Sequence, residues 1–370
     1  LHLLSRRQRQ MCIRDRIKME ENILNNIIRK KFSEIDLHDP FFDSLKRDYP
    51  GFDDWFGRKK DEPAFAQYEN ANLIGLLYLK MEYQCVNDVE PNIHAERILK
   101  VGTFKIEAHG TKMGEQFIKI IMDYAINEAV DVCYVTIYEK HSSLISLVQK
   151  FGFEQYGVKG EGAQRENVYL KKMGIITGEI NKDFPYVDMS TAKKYLLSIY
   201  PKYHSIMFPG SILTTENKSI IKDVSYTNSI HKIYVCSMDG VENLNYGDIV
   251  VLYRTGEDGR SAEYSSVVTS ICVVEDVKTQ GEFGSFDEFY NYASKYSVFD
   301  KKDLRYWYNK GRCKAIKMTY NGALRKRIVR HDLIEEIGLD RDSYWGFFKL
   351  NDSQFFEIAR RGSVMHLLKR

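Results

Sequence analysis

The sequence predicts a mixed α/β domain, in which helices flank a central mixed sheet, followed by a second domain built as a small β-barrel. The chain has 370 residues, which at roughly 100–200 residues per domain favours two domains. Strand and helix patterns alternate over residues 64–172, as in an α/β fold. From about residue 190, closely spaced β-branched strands follow one another, which is typical of a barrel or a sandwich.

The first eighteen residues are predicted to be foreign to the protein. Residues 1–16 resemble a translated sequencing adapter, and we expect the natural start at Met19. The alternative is a genuine basic arm that binds nucleic acid. This segment holds five arginines and one aspartate, whereas the whole chain has a net charge of +3. The rest of the chain is therefore slightly acidic, and the overall charge gives no evidence for a nucleic-acid partner. We predict a first domain over 19–173, a linker over 174–199 and a second domain over 200–360.

Composition favours a globular, cytoplasmic protein that has no metal. Residues of hydrophobic type make up 44% of the chain, which is enough for a core. No run approaches the ~18 apolar residues that a membrane span needs, so we expect no membrane association. The six cysteines include no CxxC pair and no histidine pair at zinc-site spacing. Cys133, Cys236 and Cys272 lie in apolar strand-like runs and are expected to be buried reduced thiols.

The elements of the first domain follow from hydrophobic periodicity. A helix is predicted over residues 20–33, and helix with loop over 36–63. The other predicted elements are strands 64–69, 73–83, 94–106, 131–138 and 166–172, and helices 114–129 and 142–151. The longer of these two helices has an apolar stripe that includes Phe117, Ile121 and Ala125.

The second domain is predicted to be rich in strands. A short helix over 191–199 precedes them, and a helical stretch over 285–309 interrupts them. The predicted strands are 231–238, 247–255, 264–277, 313–322 and 345–351.

A glycine-containing loop connects the strand 94–106 to the helix that follows it. Its sequence is HGTKMG, in which Gly110 and Gly114 would let the backbone approach a pyrophosphate closely. The free N–H groups of a helix N-terminus form a ready anion site. A downstream helix ends in LVQKFGFEQYG, which adds a second feature to the same pattern.

These segments together resemble the GNAT N-acetyltransferases, over about 150 residues and most closely over 97–157. The resemblance implies acetyl-CoA as cofactor, held at its pyrophosphate by the backbone of residues 110–115. It also implies that the strand near Thr103–Ile106 pairs its main chain with the pantetheine arm, and that a splay between this strand and 131–138 admits the cofactor. The implied cofactor-binding residues are Thr103, Phe104, Ile106, His109, Gly110, Thr111, Lys112, Met113, Gly114 and Glu115.

The chain departs from the family pattern at three positions. His109 stands where the family usually has arginine or glutamine, and Lys112 where it usually has glycine. Val148 occupies the position of a general-acid tyrosine, and it has no proton to give to a leaving thiolate. The catalytic candidates are therefore Glu96 and His109 as bases and Tyr156 as acid, with Glu107, His141 and Tyr138 as alternatives.

The second domain resembles the PUA-like superfamily near its ASCH and EVE branches, on the runs GDIVVLYRT, YSSVVTSICVVEDV and YWGFFKLNDSQFFEI. The resemblance implies a barrel that binds RNA or a modified nucleotide, with Arg254, Tyr203, His204 and Trp345 near its mouth. Residues 301–330 are strongly basic and carry interleaved aromatic residues, as a nucleic-acid surface would. The alternative for this stretch is a solvated basic face above a buried aromatic one.

The predicted function is therefore acetyl transfer from acetyl-CoA to an amine of an unidentified acceptor, recruited through an RNA-binding second domain. One alternative is a non-catalytic acyl-CoA sensor coupled to a nucleic-acid-binding module. Another is a toxin or defence factor that acts on charged tRNA.

Overall fold

A computed structural model describes residues 27–107, 110–211, 213, 225–257 and 259–370. Its strands form a seven-stranded sheet, a six-stranded sheet and a two-stranded sheet. The first larger sheet comes from the N-terminal half of the chain and the second from the C-terminal half. The central mixed sheet with flanking helices is therefore confirmed as an α/β architecture.

The seven-stranded sheet has the order β1-β2-β3-β4-β5-β7-β6. Its strands β4 and β5 are parallel, whereas the other neighbours pair antiparallel. The strands are β1 (Ile27–Lys31), β2 (Pro63–Glu69), β3 (Asn72–Val86), β4 (Ile93–Ile106), β5 (Val132–Ile137), β6 (Glu154–Lys159) and β7 (Glu166–Lys172). The helices around this sheet are α1 (Asp43–Asp48), α2 (Phe52–Arg58), α3 (Met113–Asn127) and α4 (Ser142–Lys150).

Both faces of this sheet are covered, because successive side chains of a strand point to opposite faces. On one face, Leu99 and Val101 of β4 pack in the same core as Phe117 and Ile121 of α3. On the opposite face, Leu45 of α1 and the aromatic residues of α2 and the flanking turns form a separate cluster with Tyr78 of β3, and Ile98 of β4 packs in another cluster with Tyr134. The strand β4 therefore runs between two cores, and the cleft described below lies at its C-terminal end.

The helix predicted over 20–33 is wrong over Ile27–Lys31, and Phe32–Glu34 form only a short 3-10 helix. Residues 20–26 lie outside the described residues, but Ile27–Lys31 form the edge strand β1, which pairs antiparallel with β2. Ile27 is 2% exposed and Ile28 is 43% exposed, so these two neighbours lie on opposite faces of the strand. Pairing with β2 has overridden the local helical spacing of the apolar residues.

The six-stranded sheet has the order β10-β13-β12-β11-β9-β14. In the described part of the chain, no pairing between β10 and β14 closes this sheet into a barrel. Its strands are β9 (Lys194–Ile199), β10 (His231–Cys236), β11 (Ile249–Arg254), β12 (Val267–Thr279), β13 (Lys314–Val329) and β14 (Phe347–Leu350). The two-stranded sheet is β8 (Val187–Asp188) with β15 (Leu368–Lys369). The accompanying helices are α5 (Ile180–Asp183), α6 (Pro201–Met207), α7 (Ser225–Asn228), α8 (Ala262–Ser265), α9 (Phe286–Ala293), α10 (Lys301–Asn309), α11 (Arg330–Glu335) and α12 (Asp352–Arg361).

The short helix predicted over 191–199 is also wrong. Residues Lys194–Ile199 form β9, a strand between β11 and β14 whose six residues are all buried. A short apolar run buried on both faces has no alternation that would separate strand from helix. The segment predicted as a linker over 174–199 thus contributes α5, β8 and a strand of the six-stranded sheet.

Two other expectations concern the membrane and the cysteines. Within the described residues, the helices are too short or too polar to cross a membrane. Cys133, Cys236 and Cys272 are buried free thiols, as predicted. Burial raises the pKa of Cys133 to about 12, which keeps its thiol protonated and unreactive at neutral pH.

Candidate functional site

A cleft of about 1110 Å³ opens where β4 and β5 part. In the described residues, the two strands pair only from Ile98–Val101 to Val132–Val135. Beyond that point β4 continues to Ile106 along β3, whereas β5 follows β7. One edge of the β4 main chain therefore faces the cleft instead of a neighbouring strand. The splay predicted between these two strands is present.

The loop at the wide end of the splay has a backbone suited to an anion. Gly110 has φ of +80° and Lys112 has φ of +61°, and both values lie in the left-handed region. Lys112 is the N-cap of α3, a helix of fifteen residues that carries a positive dipole at this end. A Cβ built on Gly110 would meet nothing within 4 Å, so the loop is open to the cleft at that residue. Successive N–H groups in such a turn form an anion-binding concavity.

Eight of the ten predicted cofactor-binding residues line this cleft. They are Thr103, Phe104, Ile106, Gly110, Thr111, Lys112, Met113 and Gly114. Gly114 packs closely on α4, because a Cβ there would lie 2.7 Å from Cδ2 of Leu147. His109 lies outside the described residues, so its two predicted roles stay predictions.

The side chain of Glu115 points away from the cleft and into the contact between the two halves of the chain. Its carboxylate accepts hydrogen bonds from the Ser229 hydroxyl at 2.5 Å and from the Ile230 N–H at 3.1 Å, and it forms an ion pair with Lys150 at 2.9 Å. Burial raises the pKa of Glu115, but the charges of His231 and Lys150 outweigh burial, so the pKa lies below its ordinary value. Glu115 therefore anchors α3 rather than contacting a ligand.

The same contact continues to the cofactor loop and into the six-stranded sheet. The side-chain amide of Asn228 donates to the carbonyl of Thr111 at 2.9 Å. His231 lies 2.5 Å from Glu275, which also accepts from Lys317 at 2.8 Å. Burial raises the pKa of Glu275, but these two cations lower it to about 2. A chain of polar contacts thus joins the loop at the splay to the second sheet.

Two of the predicted catalytic residues lie outside the cleft. Glu96 is exposed near the start of β4, whereas the cleft is lined by the later part of that strand. The hydroxyl of Tyr156 donates to the carbonyl of Asn92 at 2.8 Å, and Tyr156 does not line the cleft. Neither residue is positioned to reach a group bound between β4 and β5. Val148 is 1% exposed in the core, which agrees with its lack of a catalytic role.

Three carboxylates of described residues line the cleft. Glu107, which follows β4, was among the predicted alternative bases, whereas sequence reasoning missed Asp48 of α1 and Glu166 of β7. Glu166 is 8% exposed and lines the cleft, and the hydroxyl of Tyr49 donates to its Oε1 at 3.0 Å. The ring of Tyr49 lies 5.0 Å from that of Tyr138, one of the alternative acids. Burial raises the pKa of Tyr49, and the charge of Glu166 adds to this effect, so Tyr49 keeps its proton.

A second acidic group, Asp48, stands beside His141 in the cleft. Asp48 forms an ion pair with Lys140 at 2.6 Å and lies 3.7 Å from Nε2 of His141. The hydrogen bond from Lys140 lowers the pKa of Asp48. Burial, followed by the charge of Lys140, lowers the pKa of His141, so its imidazole is neutral at physiological pH. Because 117 positions separate Tyr49 from Glu166, no local spacing signal could have identified this group of residues.

Lysines line the face of the cleft that lies against α1 and α2. Lys80 pairs with Glu82 at 2.7 Å, and Lys159 pairs with Asp88 at 2.6 Å. Lys100 lies beside Lys159 within hydrogen-bonding contact. Burial lowers the pKa of Lys100, and the charge of Lys159 adds to this effect.

The residues proposed for the mouth of the second domain are mostly buried. His204 is fully buried and Arg254 is 3% exposed, while Trp345 is 8% exposed. Burial lowers the pKa of His204 to about 3, so its ring is neutral, and Nε2 lies 2.7 Å from the Thr269 hydroxyl. These side chains form part of the packed interior.

The basic stretch 301–330 does not form one surface. Lys314 and Lys317 pair with Glu242 and Glu275, both at distances under 3 Å. The remaining basic residues divide between α10 and the far end of β13, separated by roughly 35 Å at ~3.3 Å per strand residue. The basic residues of α10 form a solvated face, as in the alternative interpretation, but Tyr306 on the same helix is 57% exposed and not buried.

One cluster among the described residues has ligands of the kind that hold metals. Glu263, His331 and Glu335 bring their ligand atoms within 4.8 Å of one another. Arg341 forms ion pairs with both carboxylates, at 2.8 Å with Glu263 and at a shorter distance with Glu335. An arginine thus offsets one of the two negative charges of this cluster.

Comparison with known proteins gives similarity at the level of solved structures only. No protein-family model matches the chain, and no curated protein matches it. An ASCH protein from Zymomonas mobilis is 10% identical and has a TM-score of 0.33; the match covers 45% of this chain and 94% of that one. The NatC complex bound to Gag peptide and CoA is 14% identical and has a TM-score of 0.28, over 40% of this chain and 98% of that one. An IAA acetyltransferase from Bacillus cereus ATCC 14579 is 11% identical and has a TM-score of 0.29, over 40% of this chain and 99% of that one.

The chain is thus similar in part to ASCH proteins and in part to acetyltransferases. Every one of these TM-scores is below 0.5, and every identity is below 25%. The function proposed for this protein therefore rests on the geometry of the cleft.

Proposed function

We propose that the protein is an acetyl-CoA-dependent N-acetyltransferase whose cofactor lies in the splay between β4 and β5. The observation that carries the proposal is the continuity of the site. The free edge of β4 beyond Val101 leads directly to the open loop at Gly110–Lys112 and to the N-terminus of α3. Such a surface fits a long ligand that has an anionic end, because strand edges offer main-chain hydrogen bonds and the helix end offers N–H groups.

The residues of the splay would hold the cofactor by main-chain groups and by charge. The N–H groups around Gly110 and Gly114 would bind the pyrophosphate, and Lys112, which is exposed at the same turn, would add a positive charge. The main chain of Thr103–Ile106 would bind the pantetheine arm. When bound, acetyl-CoA supplies the acetyl group as a thioester.

The proton of the attacking amine would pass to Glu166, in place of the predicted Glu96. Glu166 is a buried carboxylate of the cleft, and the hydroxyl of Tyr49 fixes its orientation. General-base catalysis of this kind typically contributes 10²–10⁴-fold to a rate. His141, which is neutral at physiological pH, is the second candidate base. Holding the amine and the thioester together accounts for much of the remaining rate enhancement. Catalysis can therefore proceed although Val148 has no proton to donate.

The cofactor site is tested by calorimetric titration of acetyl-CoA into the wild-type protein and two tryptophan variants. Gly110→Trp places a large side chain in the loop, and we expect it to abolish binding. Gly162→Trp is the matched control, because Gly162 also has positive φ and open space around its Cβ but lies outside the cleft. Binding by wild type and by Gly162→Trp, but not by Gly110→Trp, supports the site. The absence of binding by a folded wild-type protein overturns the proposal.

Catalysis is tested by release of free thiol from acetyl-CoA in the presence of a panel of amines. We expect Glu166→Gln to bind acetyl-CoA normally but to transfer the acetyl group at least ~10²-fold more slowly. Binding without thiol release from any amine would favour a non-catalytic acyl-CoA sensor instead.

We further propose that the six-stranded region is a PUA-like module that recruits the acceptor, an RNA or a molecule bound to RNA. Its best contact surface is α10 and the turn after it. Arg305, Lys310 and Arg312 are exposed there, and Tyr306 is 57% exposed. Phosphate contacts by these residues would make RNA binding fall steeply with salt concentration. Replacing Arg305 and Lys310 by glutamine should weaken RNA binding in a filter assay, and an RNA affinity that is unchanged by these substitutions contradicts the assignment.

A further inference from the structure

Lys100 occupies a special position in the cleft. It lies on β4, one residue before the ladder with β5 ends at Val101, so it marks the apex of the splay. Its side chain lines the cleft, and its ammonium group lies 5.5 Å from the centroid of the Tyr134 ring. A ligand that enters the splay from the loop at Gly110 therefore ends beside this amine.

The other lysines around Lys100 are held by carboxylates. Lys80 pairs with Glu82 at 2.7 Å, Lys105 with Glu107 at 3.3 Å, Lys140 with Asp48 at 2.6 Å and Lys159 with Asp88 at 2.6 Å. Lys100 has no such ion pair with a described residue, and its hydrogen-bonding neighbour is another cation, Lys159.

This arrangement shifts the pKa values of the two lysines in opposite directions. The bond to Asp88 outweighs burial and raises the pKa of Lys159, so Lys159 stays charged. Burial and the charge of Lys159 lower the pKa of Lys100. A lysine that is desolvated and lies next to another cation is an activated nucleophile.

The distance along β4 from Lys100 to the loop also matches the length of the cofactor's pantetheine arm. Five residues, Gly102–Ile106, separate Lys100 and Val101 from the start of the loop, a span of ~17 Å at ~3.3 Å per residue. An extended pantetheine arm covers a span of this order. A cofactor anchored at the loop by its pyrophosphate would therefore present its reactive end at the apex.

We propose that Lys100 is itself an acetyl acceptor, so that the protein acetylates its own cleft. The inference rests on the acetyl-CoA site proposed above. In the deprotonated form of Lys100, Nζ forms a bond to the acetyl carbon as the carbon–sulfur bond breaks, and one of its two protons ends on the sulfur. Lys100 becomes acetyl-lysine, and CoA is released as a thiol.

The modification changes the charge that an acceptor meets. While Lys100 is protonated, Lys80, Lys100 and Lys159 face two carboxylates, Glu82 and Asp88, so this group carries one excess positive charge. Acetylation of Lys100 removes that charge. The unmodified cleft accordingly favours an acceptor with an anionic group next to its amine, and the acetylated cleft does not.

The experiment incubates the full chain with acetyl-CoA and measures acetylation of each lysine by peptide mass spectrometry. We expect Lys100 to be modified far faster than the exposed Lys60, and Lys159→Met to slow modification of Lys100 several-fold. Gly110→Trp should reduce it to the level of Lys60, whereas Gly162→Trp should leave it unchanged.

A second readout needs no cofactor. Labelling of the protein with acetic anhydride across a pH series should show Lys100 reacting at lower pH than Lys159, because the pKa values of the two lysines shift in opposite directions.

The outcomes separate this inference from the proposed function. Acetyl-CoA binding by calorimetry with no preferential modification of Lys100 overturns the inference and leaves the cofactor site standing. Preferential modification that survives in Gly110→Trp also overturns it, because the acetyl group would then not come from the splay. Failure of acetyl-CoA to bind the folded protein overturns both.

Discussion

Removal of the Glu115 carboxylate should destabilise the whole protein, because this group joins α3 to the segment that leads into β10. The side chain of Glu115 is 5% exposed. It accepts hydrogen bonds from Ser229 and Ile230 and pairs with Lys150. Glu115→Ala would leave these three donors without their acceptor. Breaking a buried ion pair by removing one partner costs about 3–5 kcal/mol in free energy of unfolding.

The substitution Glu115→Gln removes the negative charge of the side chain but keeps its shape. Its side-chain carbonyl can still accept from Ser229 or Ile230, and Lys150 is 35% exposed, so water can solvate the ammonium group that loses its partner. We therefore expect a smaller loss of about 1–2 kcal/mol, in the range of a hydrogen bond to a charged group. The matched control is Glu128→Gln at the C-terminal end of α3. The side chain of its partner Arg97 is 34% exposed and that of Glu128 is 39% exposed, so this ion pair contributes about 0–1 kcal/mol to the free energy of unfolding.

Urea titration followed by circular dichroism measures all three variants. The free energy of unfolding should fall in the order Glu128→Gln, Glu115→Gln, Glu115→Ala. The pH dependence gives an independent check. Because the pKa of Glu115 is held below its ordinary value, its contribution is complete above the pKa of an unfolded glutamate and disappears as pH falls through the folded value. The difference in free energy of unfolding between wild type and Glu115→Ala should therefore become smaller at acidic pH. A Glu115→Ala protein as stable as Glu128→Gln would refute the assignment of Glu115 as an anchor.

Three other predictions concern buried polar contacts. Asn228→Ala removes the amide that donates to the Thr111 carbonyl and should weaken acetyl-CoA binding by about 0.5–1.5 kcal/mol in calorimetry, with little change in overall stability. Burial lowers the pKa of Lys171 to about 8, and its ammonium group donates to three carbonyls, two of them in fully buried contacts. Lys171→Met should therefore destabilise the fold by about 1–3 kcal/mol, whereas Lys172→Met at the exposed neighbouring residue should not. Glu275 has a folded pKa of about 2 against an ordinary 4.5, so its contribution is present above the ordinary value and is lost as pH falls toward 2. Unfolding midpoints of Glu275→Gln should accordingly depend less on pH in that window, and an unchanged pH slope would contradict the pairing.

The local sequence was sufficient for the elements that build the cofactor end of the cleft. The alternation along β4, the apolar stripe of α3 and the glycines at 110 and 114 are properties of adjacent residues, and they fixed the order of strand, loop and helix. The splay between β4 and β5 was anticipated through the family resemblance and is present in the strand pairing. The predicted buried thiols lie in apolar strands, and burial of such runs also follows from local composition.

The other features of the cleft depend on contacts between residues that are far apart in the sequence, and no periodicity in the chain predicts such contacts. Tyr49 reaches Glu166, and Asn228 reaches Thr111, each over 117 positions. Residues 27–31 and 194–199 became strands because neighbouring strands satisfied their main-chain hydrogen bonds, which outweighs a weak local preference for helix. The environment of Lys100 likewise depends on the tertiary structure, because Lys159 comes from another strand and Asp88 from the loop before β4. The sequence by itself determined where a cofactor would enter, and the tertiary structure decided which acids and amines face it, since burial and charge at a site depend on all the elements that meet there.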